Sequence, residues 1–379
     1  MAPQARLIID RHFASISDPR SGNATQHELI DILVIAVCAV ISGADNWVEI
    51  ELWGQAQQSW LETFLALPNG IPSHDTIGRV FARLDPAQFR ECFLSWVSAI
   101  SKLSQGQVVA IDGKKLRRSH NRRSGKDAIW MVSAWAAANR LVLGQVKTKG
   151  KSNEIKAIPE LLRVLELKDC IVTIDAIGCQ TKIVTQIAEK QGDYVLSVKD
   201  NQGQLHQDLK DLFAGCQEVN YRQVPHGYTR TVNKGHGRIE IRQCWTLSAP
   251  EFLEYIRRRE SWKNLRTVVK VQAEREVNGK RSRQVRYYIS SLENNPKLIL
   301  NAVRAHWGVE NGLHWVLDIA FREDDSRVRK DHAPENFAIL RHIAVNLLKQ
   351  ETTTRVGIKA KRFKAACDRN YLLQVLSTG

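Results

Sequence analysis

The sequence predicts an α/β chain: a helical first hundred residues, then a layered domain of strands and helices, with a β-rich stretch inserted into it. Three observations carry this. Two short β-branched strands, Val108–Asp112 and Ile171–Asp175, each arrive at an aspartate. Helical stretches alternate with the strands that follow, the pattern of a parallel sheet. Further on, Asn278-Gly279 separates two alternating apolar–polar runs, a strong hairpin signal.

Composition bounds the function. At 379 residues the chain has room for two or three domains and a sizeable core. The net charge of +15 and the pI near 9.6 favour a polyanionic partner, nucleic acid before an anionic membrane. The charge is unevenly placed: residues 1–100 hold no lysine, six arginines and eleven acids, a net of −5, which leaves +20 downstream. The longest apolar run, Ile32 to Ile41, has ten residues against the roughly 20 of a membrane span, so no membrane partner is expected. The run follows acidic residues and carries no cleavage pattern, so it reads as a core helix rather than a signal peptide. Seven cysteines without a CxxC pair argue against a disulfide framework or a zinc ribbon and place the protein in the cytosol with reduced thiols.

The elements follow in order. Thr25-Gln26-His27-Glu28 has capping-box spacing ahead of the apolar run, and Ser42-Gly43 breaks that helix. A second helix is expected from Trp47 to Phe64, with Trp47, Ile50, Trp53 and Trp60 turned inward. Ser73 starts a short helix through Arg83, and Asp85-Pro86 caps the next, which buries Phe89, Phe93 and Trp96. Short helices joined by tight turns fit either a helix-turn-helix DNA reader or a helical assembly module, and the acidic balance gives the first little phosphate-neutralising charge.

After a hinge at Ser104–Gln107 come the strand Val108–Asp112, a strand pair around Asn139-Arg140, a helix over 153–167, the strand Ile171–Asp175, a helix from Thr181 to Lys190 and the strand Tyr194–Val198. The strands at 171 and 194 are expected to be parallel. Asp112 and Asp175 then fall at carboxyl ends of strands, where open α/β sheets place their sites. From about 201 to 294 the chain reads as a β-rich insertion with many cations, Arg238, Arg242, Arg275 and Arg286 among them. Helical patterns run from Pro296 through Phe321 and from Asn336 to Gln350, and Lys359–Lys364 makes a basic tail segment.

Phosphodiester transfer needs two hard cations about 4 Å apart, and Mg²⁺ takes carboxylate oxygens. Asp112 and Asp175 suit that chemistry, although either aspartate alone also suits the capping of a turn, at Gly113 or near Gly178. A third acid is expected from a helix. Glu310, on the Trp-rich stretch His306–Trp315, shares a helical face with His306 and His314, and burying such an acid without a partner is costly. Asp318 lies on roughly the same face as an auxiliary acid. Histidines four residues either side of Glu310 also suit zinc, but they stand eight apart.

Val108-Val109-Ala110-Ile111-Asp112-Gly113-Lys114, Ile171–Ala176 and His306-Trp307-Gly308-Val309-Glu310-Asn311-Gly312-Leu313-His314-Trp315, with Lys234–Arg238, resemble the DDE transposases of the ISAs-type, H-repeat-associated insertion sequences. The likeness runs over nearly the whole chain. It implies a ribonuclease H-like catalytic core over 104–350, interrupted by the insertion at about 201–294. An all-α domain over 1–103, for assembly or DNA end binding, would precede it, and a basic tail over 351–379 would follow. It implies two Mg²⁺ ions, with Mn²⁺ as a substitute, held by the triad Asp112, Asp175 and Glu310. It also implies double-stranded DNA as substrate, a homodimer as the active complex, and the bacterial cytosol or nucleoid as location. Broader relatives carry Tyr, Arg and Lys around the helical Glu where this chain has Val303, His306 and Leu317. Phosphate positioning then falls to Arg304, His306 or His314.

Six cations in ten residues, Lys114, Lys115, Arg117, Arg118, Arg122 and Arg123, follow Asp112 directly and are expected to contact DNA phosphates. The expected activity is metal-dependent cleavage at element ends and strand transfer into target DNA. A nuclease or resolvase on the same core, or a decayed DNA-binding copy, fits the same residues.

Overall fold

The computed structural model describes residues 11–22, 25–101, 103–120, 125, 127–148, 150, 153–235 and 237–378. The chain is a mixed α/β protein that divides into two units, one of residues 1–102, 113–153 and 310–379, the other of residues 103–112 and 154–309. Arg122 and Arg123 lie outside the described residues.

The first unit begins with helices α1 (Leu29–Ile41), α2 (Trp47–Leu61), α3 (His74–Arg83) and α4 (Pro86–Ile100). Helix α1 is apolar all round and buried from Asp31 to Ile41, as a fully enclosed helix must be. The expected capping box is absent: the helix starts at Leu29 without a side-chain cap, and Thr25 Oγ1 donates instead to the Gly22 carbonyl at 2.8 Å. The later caps form as read, with Ser73 accepting from Thr76 N and Asp85 from Ala87 N. Strands β2 (Trp130–Ala136) and β3 (Leu141–Thr148) pair antiparallel around Asn139-Arg140.

Helix α11 (Ala333–Gln350) is the axis of this unit and packs on α1, α3, α4 and β3. Two of its buried asparagines bond to the backbone of neighbouring elements. Asn336 donates to the carbonyls of Phe81 and Leu84, which end α3, and Asn346 both accepts from and donates to the backbone of Val142 in β3. Trp47 stacks on Phe81 and meets Phe337 edge-on, joining α2, α3 and α11.

The basic C-terminal segment folds as α12 (Ile358–Cys367) and α13 (Arg369–Leu376) rather than as a solvated tail. Arg362 is buried because its guanidinium caps carbonyls that α1 and α10 (Trp315–Phe321) leave open. It donates to Val40 O, Ala44 O and Ala320 O, pairs with Asp45 at 2.9 Å, and lies over the Phe321 ring.

In the second unit the strands stand in the order β1 (Val108–Lys115), β4 (Ile171–Ile174), β5 (Asp193–Val198), β9 (Lys280–Ser290), β8 (Thr267–Val277), β7 (Arg238–Leu247), β6 (Gly227–Gly235). The first three are parallel and the rest antiparallel. Strand β1 runs on through Gly113 to Lys115, so Asp112 sits inside a strand and Gly113 makes no turn there. Crossovers between the parallel strands carry α5 (Glu154–Val164) and α6 (Thr181–Glu189). The insertion opens with a helix that composition concealed, α7 (Gly203–Glu218), which buries Leu205, Leu209, Phe213 and Cys216, and a short α8 (Pro250–Glu254) follows β7. The β8–β9 turn has φ of +50° at Asn278 and +74° at Gly279, as an Asn-Gly hairpin requires.

Helix α9 (Pro296–His306) lies against β4, β5, β6 and β7 and closes a core of Ile299, Leu300 and Val303 on Cys244, Val269 and Tyr288. No helix among the described residues is long and apolar enough to cross a membrane.

Candidate active site

The second unit brings two of the sequence-selected acids together. Val108 to Ile111 pair in parallel register with Ile171 to Ile174, so Asp112 and Asp175 are the next residues along two neighbouring chain segments, strands in this register lying about 5 Å apart. Both are half-buried. Asp175 leaves β4 into a single turn, Ala176–Gly178, and its Oδ1 accepts from Ile177 N at 3.1 Å. Asn201 holds the turn from outside, donating to Ala176 O at 2.6 Å, and Gln202 donates to Cys179 O at 2.9 Å. Gly178 is required here: a Cβ would stand 2.3 Å from Ile174 Cγ2 and 2.9 Å from Ile174 Cβ.

His306, at the end of α9, reaches the same strand. Its Nδ1 lies 3.1 Å from Thr173 Oγ1, two residues before Asp175. Burial holds its pKa below the ordinary histidine value, and the nearby Asp175 charge offsets this only in part. Beside it, the Arg286 guanidinium stacks over Trp307, 4.7 Å from the ring centre. Sequence reasoning missed Thr173 and Arg286; their signals were a hydroxyl at the inward position of a buried strand and an arginine in the inserted hairpin. Arg304 is exposed on α9, and Val303 is in the core.

Glu310, His314, Asp318 and the basic run from Lys114 lie in the first unit. Glu310 is exposed and opens a π-helical turn, Glu310–His314, a distortion that recurs at functional sites. The wider turn also breaks the four-residue step from Glu310 to His314 that a zinc site of His306, Glu310 and His314 would need. Gly312 lets this turn approach β2, since a Cβ would come within 3.0 Å of the Trp135 ring. Leu317 is buried, so no phosphate contact comes from that position.

The basic run departs from expectation. Lys114 does not face solvent: its Nζ lies 2.6 Å from Asp318 Oδ1 and 2.6 Å from Glu323 Oε2, with Asp324 at 3.6 Å. Burial alone would lower the Lys114 pKa and raise that of Glu323. Their mutual attraction, with Arg341 joining Glu323, reverses both, so Lys114 titrates above and Glu323 below the ordinary values. Asp318 titrates above the ordinary value because burial outweighs Lys114. It is engaged by this lysine. Arg117 pairs with Asp324 at 3.0 Å and Arg118 lies 3.7 Å from Asp325, while Lys115 is exposed. The acids at 323–325 thus form a lid on the basic run.

Two adjacent carboxylates supply the hard oxygens Mg²⁺ prefers, and Mg²⁺ bound with a substrate phosphate needs only one or two protein carboxylates. Among the described residues, no group of three or more His, Cys, Asp or Glu side chains is arranged to hold a metal ion.

Family comparison decides the class. Residues 103–347 match the model of the transposase DDE domain, and residues 11–97 match that of the DDE_Tnp_1-associated region. The chain belongs to the DDE transposase family. It is 40% identical over 370 residues to the "H repeat-associated putative transposase YhhI" of Escherichia coli K12, covering 97% of each chain. Against the "Putative transposase YncI" of Escherichia coli O157:H7 it is 40% identical over 368 residues, covering 97% of this transposase and 94% of that one. This transposase therefore falls in the H-repeat-associated group.

Proposed function

We propose that the protein cuts DNA at the ends of an insertion sequence and joins the freed 3′ ends to target DNA, with Asp112, Asp175 and Glu310 as its acids. The observation that carries the reading is the parallel register that sets Asp112 beside Asp175, with Gly178 and Asn201 fixing the second of them. The catalytic region, 104–350, is a ribonuclease H-like core carrying an insertion; residues 1–103 serve assembly or end binding.

Divalent metal bound there, Mg²⁺ or Mn²⁺, would supply charge stabilisation to the attacking and leaving oxygens. Asp112 and Asp175 would hold it, Glu310 being the third acid. The chain's own residues do the rest. Thr173 orients His306, whose neutral imidazole sits beside Asp175 and presents its Nε2 for hydrogen bonding to a phosphate oxygen. Arg304 and Arg286 add positive charge for the scissile strand. Two copies act together, since two ends must be joined.

The test is incubation of labelled element-end duplex with a target plasmid and Mg²⁺. Joined products support transposition, cut but unjoined ends support a nuclease on the same core, and absence of both in repeated preparations contradicts either reading.

A further inference from the structure

The inserted hairpins carry a charged surface of which the active-site reading uses only Arg286. Side chains alternate across a sheet, so residues two apart share a face. Cys244, Val271 and Tyr288 face α9 in the core, and Ile299 and Val303 pack against them. Followed outward along unbroken register, the same face carries Arg242, Glu240 and Arg238 on β7, Arg275 on β8 and Arg286 on β9. Arg242 Nη2 lies 2.6 Å from Glu240, Arg238 Nε 3.5 Å and Arg275 Nε 4.0 Å. One carboxylate thus serves three guanidiniums. The carboxylate is largely covered, with 18% of its side chain exposed, whereas those of Arg238 and Arg275 are 45% and 53% exposed.

Glu240 is ionised at neutral pH: burial pushes its pKa up, but the three arginines together hold it below the ordinary value. It neutralises one of the three, leaving two unmatched guanidinium charges on an open sheet surface. Arginines gathered this closely repel one another, and a bound polyanion relieves that repulsion. Thr229, Thr231 and Asn233 on β6 occupy the same face and add polar groups beside the arginines. From Arg286 to Arg238 the face spans three residue pairs, about 20 Å, the axial rise of roughly six phosphates on one DNA strand.

We propose that this outward face of the β6–β9 sheet, through Arg238, Arg242, Arg275 and Arg286, binds the phosphodiester backbone of duplex DNA. The binding is sequence-independent: guanidiniums reach phosphate oxygens in pairs, and such backbone contacts carry no base information. The inference rests on the reading of the protein as a DNA transposase. It names where that DNA lies beyond the chemistry.

Fluorescence anisotropy of a fluorescein-labelled duplex of arbitrary sequence, titrated with full-length protein over a series of salt concentrations, tests it. Arg238→Ala/Arg242→Ala/Arg275→Ala should weaken binding at least about tenfold and flatten the slope of log affinity against log salt by about two to three. Arg230→Ala/Arg281→Ala/Arg283→Ala removes the same charge from the opposite face of the same sheet and should change both far less. Circular dichroism melts check folding, and Gln at the first three positions repeats the comparison with polar packing retained. Equal losses from the two faces, or an unchanged salt slope in the first triple, would overturn the proposal while leaving the transposase reading intact. A parent protein that binds no duplex would overturn both.

Discussion

Thr173 Oγ1 and His306 Nδ1 lie 3.1 Å apart, tying the end of α9 to the strand that delivers Asp175. Thr173 is only 2% exposed, so no solvent competes for this contact. Thr173→Val keeps the shape and removes the hydroxyl. It should cost about 1 kcal/mol of stability. End cleavage should fall by about an order of magnitude through misorientation, at unchanged duplex affinity. A single-turnover cleavage assay beside an anisotropy titration separates the two effects.

Gly178→Ala should disturb the Asp175 turn directly, because the new methyl meets Ile174 at 2.3 Å. Overpacking of this kind costs about 1–3 kcal/mol, and the displaced carboxylate should lower cleavage further than the stability loss explains. Adding Ile174→Ala removes the contact at 2.3 Å but keeps Cβ at 2.9 Å, so the double variant should recover part of the activity lost in Gly178→Ala alone. Urea unfolding and cleavage rates on the parent and both variants decide it.

Lys114→Met should destabilise the protein by about 3 kcal/mol, since it strands the buried Glu323 carboxylate with Arg341 as its remaining cation. Pairing it with Glu323→Gln should restore much of the loss. Duplex affinity should barely change, because Lys114 is spent on Asp318 and Glu323 rather than offered to phosphate. A large loss of affinity in a folded Lys114→Met protein would reinstate the phosphate-binding role suggested by the sequence.

His342, buried in α11, has its pKa pushed down to about 4, mainly by burial and against the pull of Glu323. The unfolded chain therefore binds this proton more readily than the folded one. The sign follows: stability holds above the ordinary value near 6.5 and falls as pH drops from there towards 4, by up to about 3 kcal/mol. Urea unfolding between pH 7 and pH 4 should show this decline, and His342→Gln should flatten it.

Much of the fold was legible because local chemistry dictated it. The β-branched runs before Asp112 and Asp175 form adjacent parallel strands, Asn278-Gly279 turns a hairpin, and Ser73 and Asp85 cap their helices. What was missed depends on partners far along the chain. Lys114 looks like part of a DNA-binding run until Asp318 and Glu323, some two hundred residues later, fold over it. Arg362 looks like a solvated tail residue until the open carbonyls of α1 claim it. The helix α7 showed Leu205, Leu209 and Phe213 at four-residue spacing, but the surrounding strand-like composition masked it. Thr25 had a capping residue's spacing and found a nearer carbonyl at Gly22.

The central claim is that Asp112 and Asp175, set side by side by strand register, act with Glu310 in breaking and joining DNA. The most direct measurement is Mg²⁺-dependent cleavage and joining of an element-end duplex by the parent, Asp112→Asn, Asp175→Asn and Glu310→Gln proteins, with duplex binding followed in parallel. Each substitution should reduce cleavage and joining by at least about a thousandfold while the folded protein still binds the duplex. An Asp175→Asn protein that cuts and joins at the parental rate would contradict the account.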